Sequence, residues 1–411
     1  MLPNGQVTLF GGDRRIVRER LSRRIAGNAP VRTIEEADVS VRVNLTVLRT
    51  GLAIGVLAGT TAVAAAQSYE LIAAAKEEGA LTTMALADAW CGYGELIKGF
   101  ETKYGIEITD LNPNASSMEQ LEALKADKGR TTKEGPDVVD VTLAIAAEAA
   151  AAGLTEPYRV ATWDTIPDAL KDSEGAWIGD YYGVLAFEVN ADVVKKKPEN
   201  WADLLGTDYA KSVALAGNPS ASVQALQSVF AAGLSNAGGD FTRAGEAGLQ
   251  FFADLNANGN FLPVAGGIST LADKSTPIVI RWDYLALKDR DALAAVKDGP
   301  KIEVIVPKTG VVAGVFAQAI SASAPHPNAA KLWLEYLYSD EGQLAWLKAY
   351  CHPVRFKDLV EAGKVPKDVA DSMPPAAAYD AAVFPTPEQL SEAGSLISER
   401  WSTTVGAEVT R

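Results

Sequence analysis

The 411-residue chain is predicted to be an α/β protein of two lobes, on three observations. Short apolar strands alternate with amphipathic helices from residue 68 to 153, the pattern of a parallel sheet wrapped by helices. The alternation restarts after residue 182, so a second unit of the same kind follows. Two strand-like runs, 183–190 and 306–314, join the units and make the first lobe discontinuous. The composition, 48% hydrophobic and 22% charged, is that of a globular chain able to bury a large core.

The elements follow in order. Residues 68–78 have helical apolar spacing, 80–86 reads as a strand, and 95–104 is an amphipathic helix stopped by Gly105. Residues 106–111 alternate as a strand. A helix over 118–128 has Ser116 or Ser117 as its N-cap. Strand 138–142 and an alanine-rich helix to Gly153 complete the first run. In the second lobe, strands are expected at 182–189, 212–216, 277–281 and 301–306, with helices at 221–234 and 242–256. A strand at 311–320 returns the chain, and helices follow at 327–338, 340–350 and near 387–400. The expected organisation is a leader over 1–66, the first lobe from 67–184 and 311–411, and the second lobe from 185–310.

The leader stands apart in charge. The chain carries 38 basic and 52 acidic side chains, net −14, yet residues 1–66 hold nine Arg, no Lys and five acids. Arg42 and Arg49 precede the uncharged run 51–66, which ends in Ala64-Ala65-Ala66. That order is a secretory signal peptide, about 16 residues of apolar sequence against the ~20 needed to span a bilayer. Residues 1–40 lie upstream of it, as an over-extended start or a genuine extension. The expected mature body is exported.

Several functions are disfavoured. An acidic body does not suit a phosphate backbone, so no nucleic-acid partner is expected. Two cysteines and two histidines leave little for a metal centre or a Ser-His-Asp triad. No G-x-S-x-G, H-E-x-x-H, P-loop or G-x-G-x-x-G segment is found.

Five segments carry a family resemblance: 80–112, with Ala89-Trp90 and Lys103-Tyr104-Gly105-Ile106; 135–142 (GPDVVDVT); 181–190 (YYGVLAFEVN); 323–343 (SAPHPNAAKLWLEYLYSDEGQ); and Tyr350-Cys-His-Pro-Val-Arg. Together they resemble the periplasmic solute-binding proteins of ABC transporters, in the branch that includes polyamine and ferric-iron binders. The resemblance implies the two-lobe periplasmic-binding-protein fold of type II, a ligand held between the lobes, hinge closure, and transient delivery to a membrane permease. It implies a monomer in the periplasm with no catalysis and no cofactor. A secreted enzyme or a ligand sensor on the same fold are the alternatives of another class.

Candidate ligand contacts follow from position at strand ends. Trp90 is either a cleft aromatic or a partly buried core residue. Ser116, Ser117, Ser220 and Ser222 sit at strand-to-helix turns, as ligand donors or simply as caps. Asp140 faces the cleft or satisfies a turn. Trp282-Asp283-Tyr284 ends a buried strand, and a carboxylate between aromatics suits a cationic amine such as putrescine or spermidine. The alternative is a strand-end turn with Asp283 capping a helix. Tyr182 lines the hinge; Tyr181 and Tyr182 together invite an iron reading, but the family's paired tyrosines lie further along. Arg355 reaches the cleft as an anion partner or stays in a salt bridge. Ferric iron and small organic anions or phosphonates are the alternative ligands. Cys91 and Cys351 form a disulfide or remain buried thiols.

Overall fold

The computed structural model describes residues 69–129 and 134–410. The leader and the signal-peptide reading over 1–66 lie outside the described residues.

Helix α1 (69–78) packs Leu71 and Ile72 against the first-lobe core. Strands β1 (Ala80–Thr83) and β2 (Glu107–Asp110) pair in parallel. Between them, α2 (Tyr93–Tyr104) buries Tyr93, Leu96 and Phe100 at helical spacing. It stops at Gly105, whose φ of 69° lets its N–H turn back to Glu101 O, a conformation that costs glycine nothing. Helix α3 (Ser117–Asp127) starts in a capping box, with Ser116 and Glu119 each satisfying the other's backbone N–H. Strand β3 (Val138–Thr142), helix α4 (Leu143–Ala151) and the short β4 (Thr155–Glu156) follow.

Strand β5 (Ile178–Asn190) organises the molecule. It is 13 residues long and buried throughout. Its first half pairs antiparallel with β9 (Ala313–Ser321), and with β10 (His352–Pro353) at Tyr182 and Tyr181. From Leu185 onward it pairs with β7 (Ile278–Trp282) and β8 (Ile302–Ile305). The order is β3-β9-β5-β7-β6, where β6 is Val213–Leu215. One strand therefore carries the sheets of both lobes.

Helices α5 (Val223–Asn236), α6 (Phe241–Ala257), α7 (Ile268–Ala272) and α8 (Asp283–Ala294) belong to the second lobe. The chain ends with α9 (Pro327–Leu337), α10 (Asp340–Lys348), α11 (Phe356–Glu361), α12 (Lys367–Asp371) and α13 (Pro387–Val405).

Two sequence expectations need correction. The sheets are mixed, not parallel: β1–β2 and β6–β7 are parallel, but β9 enters antiparallel between β3 and β5. Between β1 and β3 the ladder is replaced by Asp137, whose N–H donates to Thr82 O at 2.8 Å while its carboxylate accepts Thr82 N–H at 2.7 Å. The second correction concerns 311–411, read as first-lobe throughout. Helix α13 joins the second-lobe core through Ala393, Ile397, Trp401 and Val405. Trp401 packs on Phe252 and Phe261 at 5.5 and 6.0 Å. Burial of that apolar face in the second-lobe core, against Phe252 and Phe261, is what places the helix there.

Candidate functional site

The loops after β1 and β2 and the strand β3 come together at the start of α3, and the carboxyl ends of strands are where open α/β sheets bind ligands. A cavity of about 330 Å³ lies there. One wall is backbone and small side chains from the loops after β1 and β2, including Ala87 and Pro113. Another is aromatic, from Trp90 and Phe316. The rest is Ser116, Ser117, Gln120 and Asp140. Four residues singled out from sequence, Trp90, Ser116, Ser117 and Asp140, are thus brought to one cavity.

Asp140 forms its floor. The carboxyl is 3% exposed. Gln120 clamps its backbone from both sides, accepting Asp140 N–H at 2.9 Å and donating to Asp140 O at 2.6 Å. Oδ2 accepts the Tyr181 hydroxyl at 3.2 Å, whereas no donor reaches Oδ1. Burial first, then the neighbouring Asp180 charge, holds this carboxyl well above the usual carboxylate range. Burial also pushes Asp180 up to about 7. Asp180 accepts Gln318 Nε2 at 3.1 Å and the Tyr93 hydroxyl at 3.3 Å.

Trp90 closes one side. Its indole N–H donates to the Tyr181 hydroxyl, so a hydrogen-bonded line runs from Trp90 through Tyr181 to Asp140. The ring stands edge-on to Phe316 at 5.8 Å and to Tyr284 at 5.9 Å. Phe316 stacks on Tyr181 at 5.5 Å. The next residue, Cys91, forms a disulfide with Cys351, Cα to Cα 5.6 Å. That bond ties the Trp90 loop to the segment preceding β10.

The two serines are engaged within the protein. Ser116 Oγ donates to Glu119 Oε2 at 2.7 Å and accepts Glu119 N–H at 3.3 Å. Ser117 Oγ accepts Thr142 N–H at 3.1 Å, fixing α3 to the end of β3.

The remaining candidates are placed elsewhere, each for a physical reason. Asp283 is fully buried: Oδ1 accepts Val184 N–H at 2.9 Å and Oδ2 meets His352 Nε2 at 3.1 Å. It holds the crossing strand and offers no lone carboxylate to a cleft. Its flanking aromatics cover a pair of facing glycines, Gly183 on β5 and Gly314 on β9. A Cβ at Gly183 would stand 2.4 Å from the Tyr284 ring, and one at Gly314 2.7 Å from the Trp282 ring. The two rings lie parallel, 6.5 Å apart. Trp282-Asp283-Tyr284 is therefore a clasp over the crossing between lobes. Gly183→Ala is expected to displace Tyr284 and cost about 1–3 kcal/mol, read by chemical denaturation.

Tyr182 lies against His352 and Phe384, at 5.4 and 5.2 Å, while Tyr181 serves Asp140 and Trp90. The two tyrosines do not converge. Ser222 caps α5, accepting Ala225 N–H at 3.3 Å, and Ser220 Oγ donates to Ser398 O on α13 at 3.3 Å. Arg355 is 3% exposed; its guanidinium donates to Tyr338 O at 2.7 Å and to Asp340 and Asp358. Those three acceptors draw it away from any cleft.

Asp180, Tyr181 as a site residue, Gln120 and Phe316 were not singled out from sequence. Asp180 carried a signal: an acid opening a long apolar strand has to be satisfied inside. Among the described residues no three His, Cys, Asp or Glu side chains converge as metal ligands, and no helix is long and apolar enough to cross a membrane.

The sequence matches the family model for bacterial extracellular solute-binding proteins over residues 134–382. No curated protein sequence matches the chain. The fold is similar to a putative extracellular solute-binding protein from Bordetella parapertussis, with a TM-score of 0.65, 14% identity, and coverage of 80% of this chain and 99% of that one. It is similar to iron-bound HitA from Pseudomonas aeruginosa, at 0.58, 18% identity, 78% and 98%. It is also similar to the spermidine/putrescine transporter protein PotD from Streptococcus pneumoniae, at 0.60, 14% identity, 79% and 99%.

Proposed function

This chain belongs to the family of bacterial extracellular solute-binding proteins, and on that premise we propose that its first-lobe cavity captures a small cationic amine for delivery to the membrane permease of an ABC importer. The protein acts as the binding component, in the periplasm and as a monomer. Fold relatives take up different cargo by their printed names, iron for one and spermidine or putrescine for another, so the cargo has to be argued from this cavity.

The observation that carries the amine is Asp140 Oδ1, buried and reached by no donor of the protein. An ammonium supplies the missing donor as a charge-assisted hydrogen bond. Trp90 and Phe316 beside it offer ring faces and edges for the carbon chain and for cation–π contact. Closing the second lobe over the site would strengthen the contact by excluding water.

The test is a thermal-shift panel on the purified protein: putrescine, spermidine, γ-aminobutyrate, ferric citrate, a hexose phosphate and dicarboxylic acids. An amine present at 100 times its Kd stabilises by about 2.7 kcal/mol, a rise of several degrees. Asp140→Asn, which keeps the shape and loses the charge, is expected to weaken the amine by more than about tenfold, or 1.4 kcal/mol, in calorimetric titration. Stabilisation by anions alone would move the site to the free N–H groups opening α3.

A further inference from the structure

Beneath the cavity floor lies a second buried carboxyl that capture of an ammonium by Asp140 alone does not use. Asp180 sits where β5 loses register with β9, between Gly179 and Tyr182. Such a bulge re-aims a side chain, and here the Asp180 carboxyl lies within hydrogen-bonding reach of Asp140. Both are at least 97% buried by exposures of 0% and 3%. The groups facing them come from four packed elements: Tyr93 on α2, Tyr181 on β5, Gln318 on β9, and Tyr338 after α9. Every group hydrogen-bonded to the pair is neutral. Two adjacent carboxylates without a cation cannot both stay ionised at such depth.

We propose that Asp180 is a specificity-determining partner of Asp140, and that the two carboxyls exchange one bound proton for one positive charge of the ligand. This rests on the amine reading above. In the empty site the pair holds one acidic proton and one negative charge. When an ammonium enters against Asp140 Oδ1, the carboxylic O–H bond breaks and the proton leaves to solvent. The dianionic pair is then neutralised in part by the ammonium and by the Tyr181, Tyr93 and Gln318 donors. Neutral amides and sugars cannot replace the proton, so the floor selects for charge.

The sign follows from burial. A carboxyl raised from 3.8 to about 7 stabilises the empty protein at low pH, and that contribution is lost as pH rises through about 7. Ligand affinity runs the other way, because the amine binds the ionised pair. For putrescine, calorimetry on the full chain is expected to show affinity rising with pH for as long as the empty pair still holds the proton that the amine displaces, about tenfold per pH unit where one proton is released, and levelling once the empty pair is fully ionised. Titration in buffers of different ionisation enthalpy counts that proton directly on the unaltered protein. Asp180→Asn removes one member of the pair at constant shape; Asp140 keeps its burial but loses the neighbouring charge, so the rise of affinity with pH is expected to move to lower pH. Binding of putrescine with no proton released, or an unaltered pH profile in Asp180→Asn, overturns this proposal and leaves amine capture standing. Failure of putrescine, spermidine and γ-aminobutyrate alike to bind overturns both.

Discussion

Asp283→Ala is expected to destabilise the protein by about 3–5 kcal/mol without touching the cavity. The carboxylate joins three parts of the chain that sequence keeps far apart: it opens α8, accepts Val184 N–H on the crossing strand, and meets His352 on β10. All three lie in fully buried surroundings. Removing the acceptor leaves Val184 N–H and a histidine nitrogen in a dry interior, each a desolvation cost of about 1–3 kcal/mol. The lost side-chain volume adds a cavity term. Asp283→Asn retains an oxygen for Val184, so it should recover about half the loss. Urea denaturation at neutral pH measures both. Putrescine affinity at saturating fold stability should stay within about twofold in either variant. A loss of more than tenfold in Asp283→Asn with unchanged stability would return this residue to the binding site.

That expectation reverses what the local sequence suggests, and the reason is instructive. Trp282-Asp283-Tyr284 has the chemistry of an amine clamp and the right place at a strand end. What the sequence does not display is the partner: His352 lies 69 residues on, and the glycines its neighbours cover, Gly183 and Gly314, are 131 positions apart but face each other in one ladder. Arg355 fails in the same way, because Tyr338 O and Asp340 become its neighbours only when α10 folds back. By contrast, features set by near neighbours were legible. The Ser116 cap, the Gly105 stop, strand β3 and the start of α9 depend on residues within a few positions. Trp90 and Asp140 were legible as site candidates because a strand's carboxyl end is itself a location. The docking of α13 was not, since an amphipathic helix declares that it will pack and not on which lobe.

Replacing both cysteines with alanine is the change expected to reach furthest, into stability and binding together. The bond spans 260 residues, so its removal frees a long loop in the unfolded chain. The chain-entropy argument assigns about 5 kcal/mol to a loop of that length. Alanine is the right substitute: Cys91 and Cys351 are 1% and 0% exposed, and a serine would add a buried hydroxyl without a partner. The second effect is local. Cys91 holds a left-handed conformation, φ 42°, one residue after Trp90, and the disulfide is the covalent tie between that turn and the segment preceding β10. Without it the Trp90 ring loses its support, and with it the N–H bond to Tyr181 that orients the hydroxyl on Asp140. The double variant is expected to melt well below the parent and to bind putrescine about tenfold more weakly, a loss of about 1.4 kcal/mol. Melting curves followed by calorimetric titration below the lowered transition separate the two. A lower melting point with unchanged affinity would mean that packing on Phe316 and Tyr284 alone positions Trp90, and that the disulfide serves stability only.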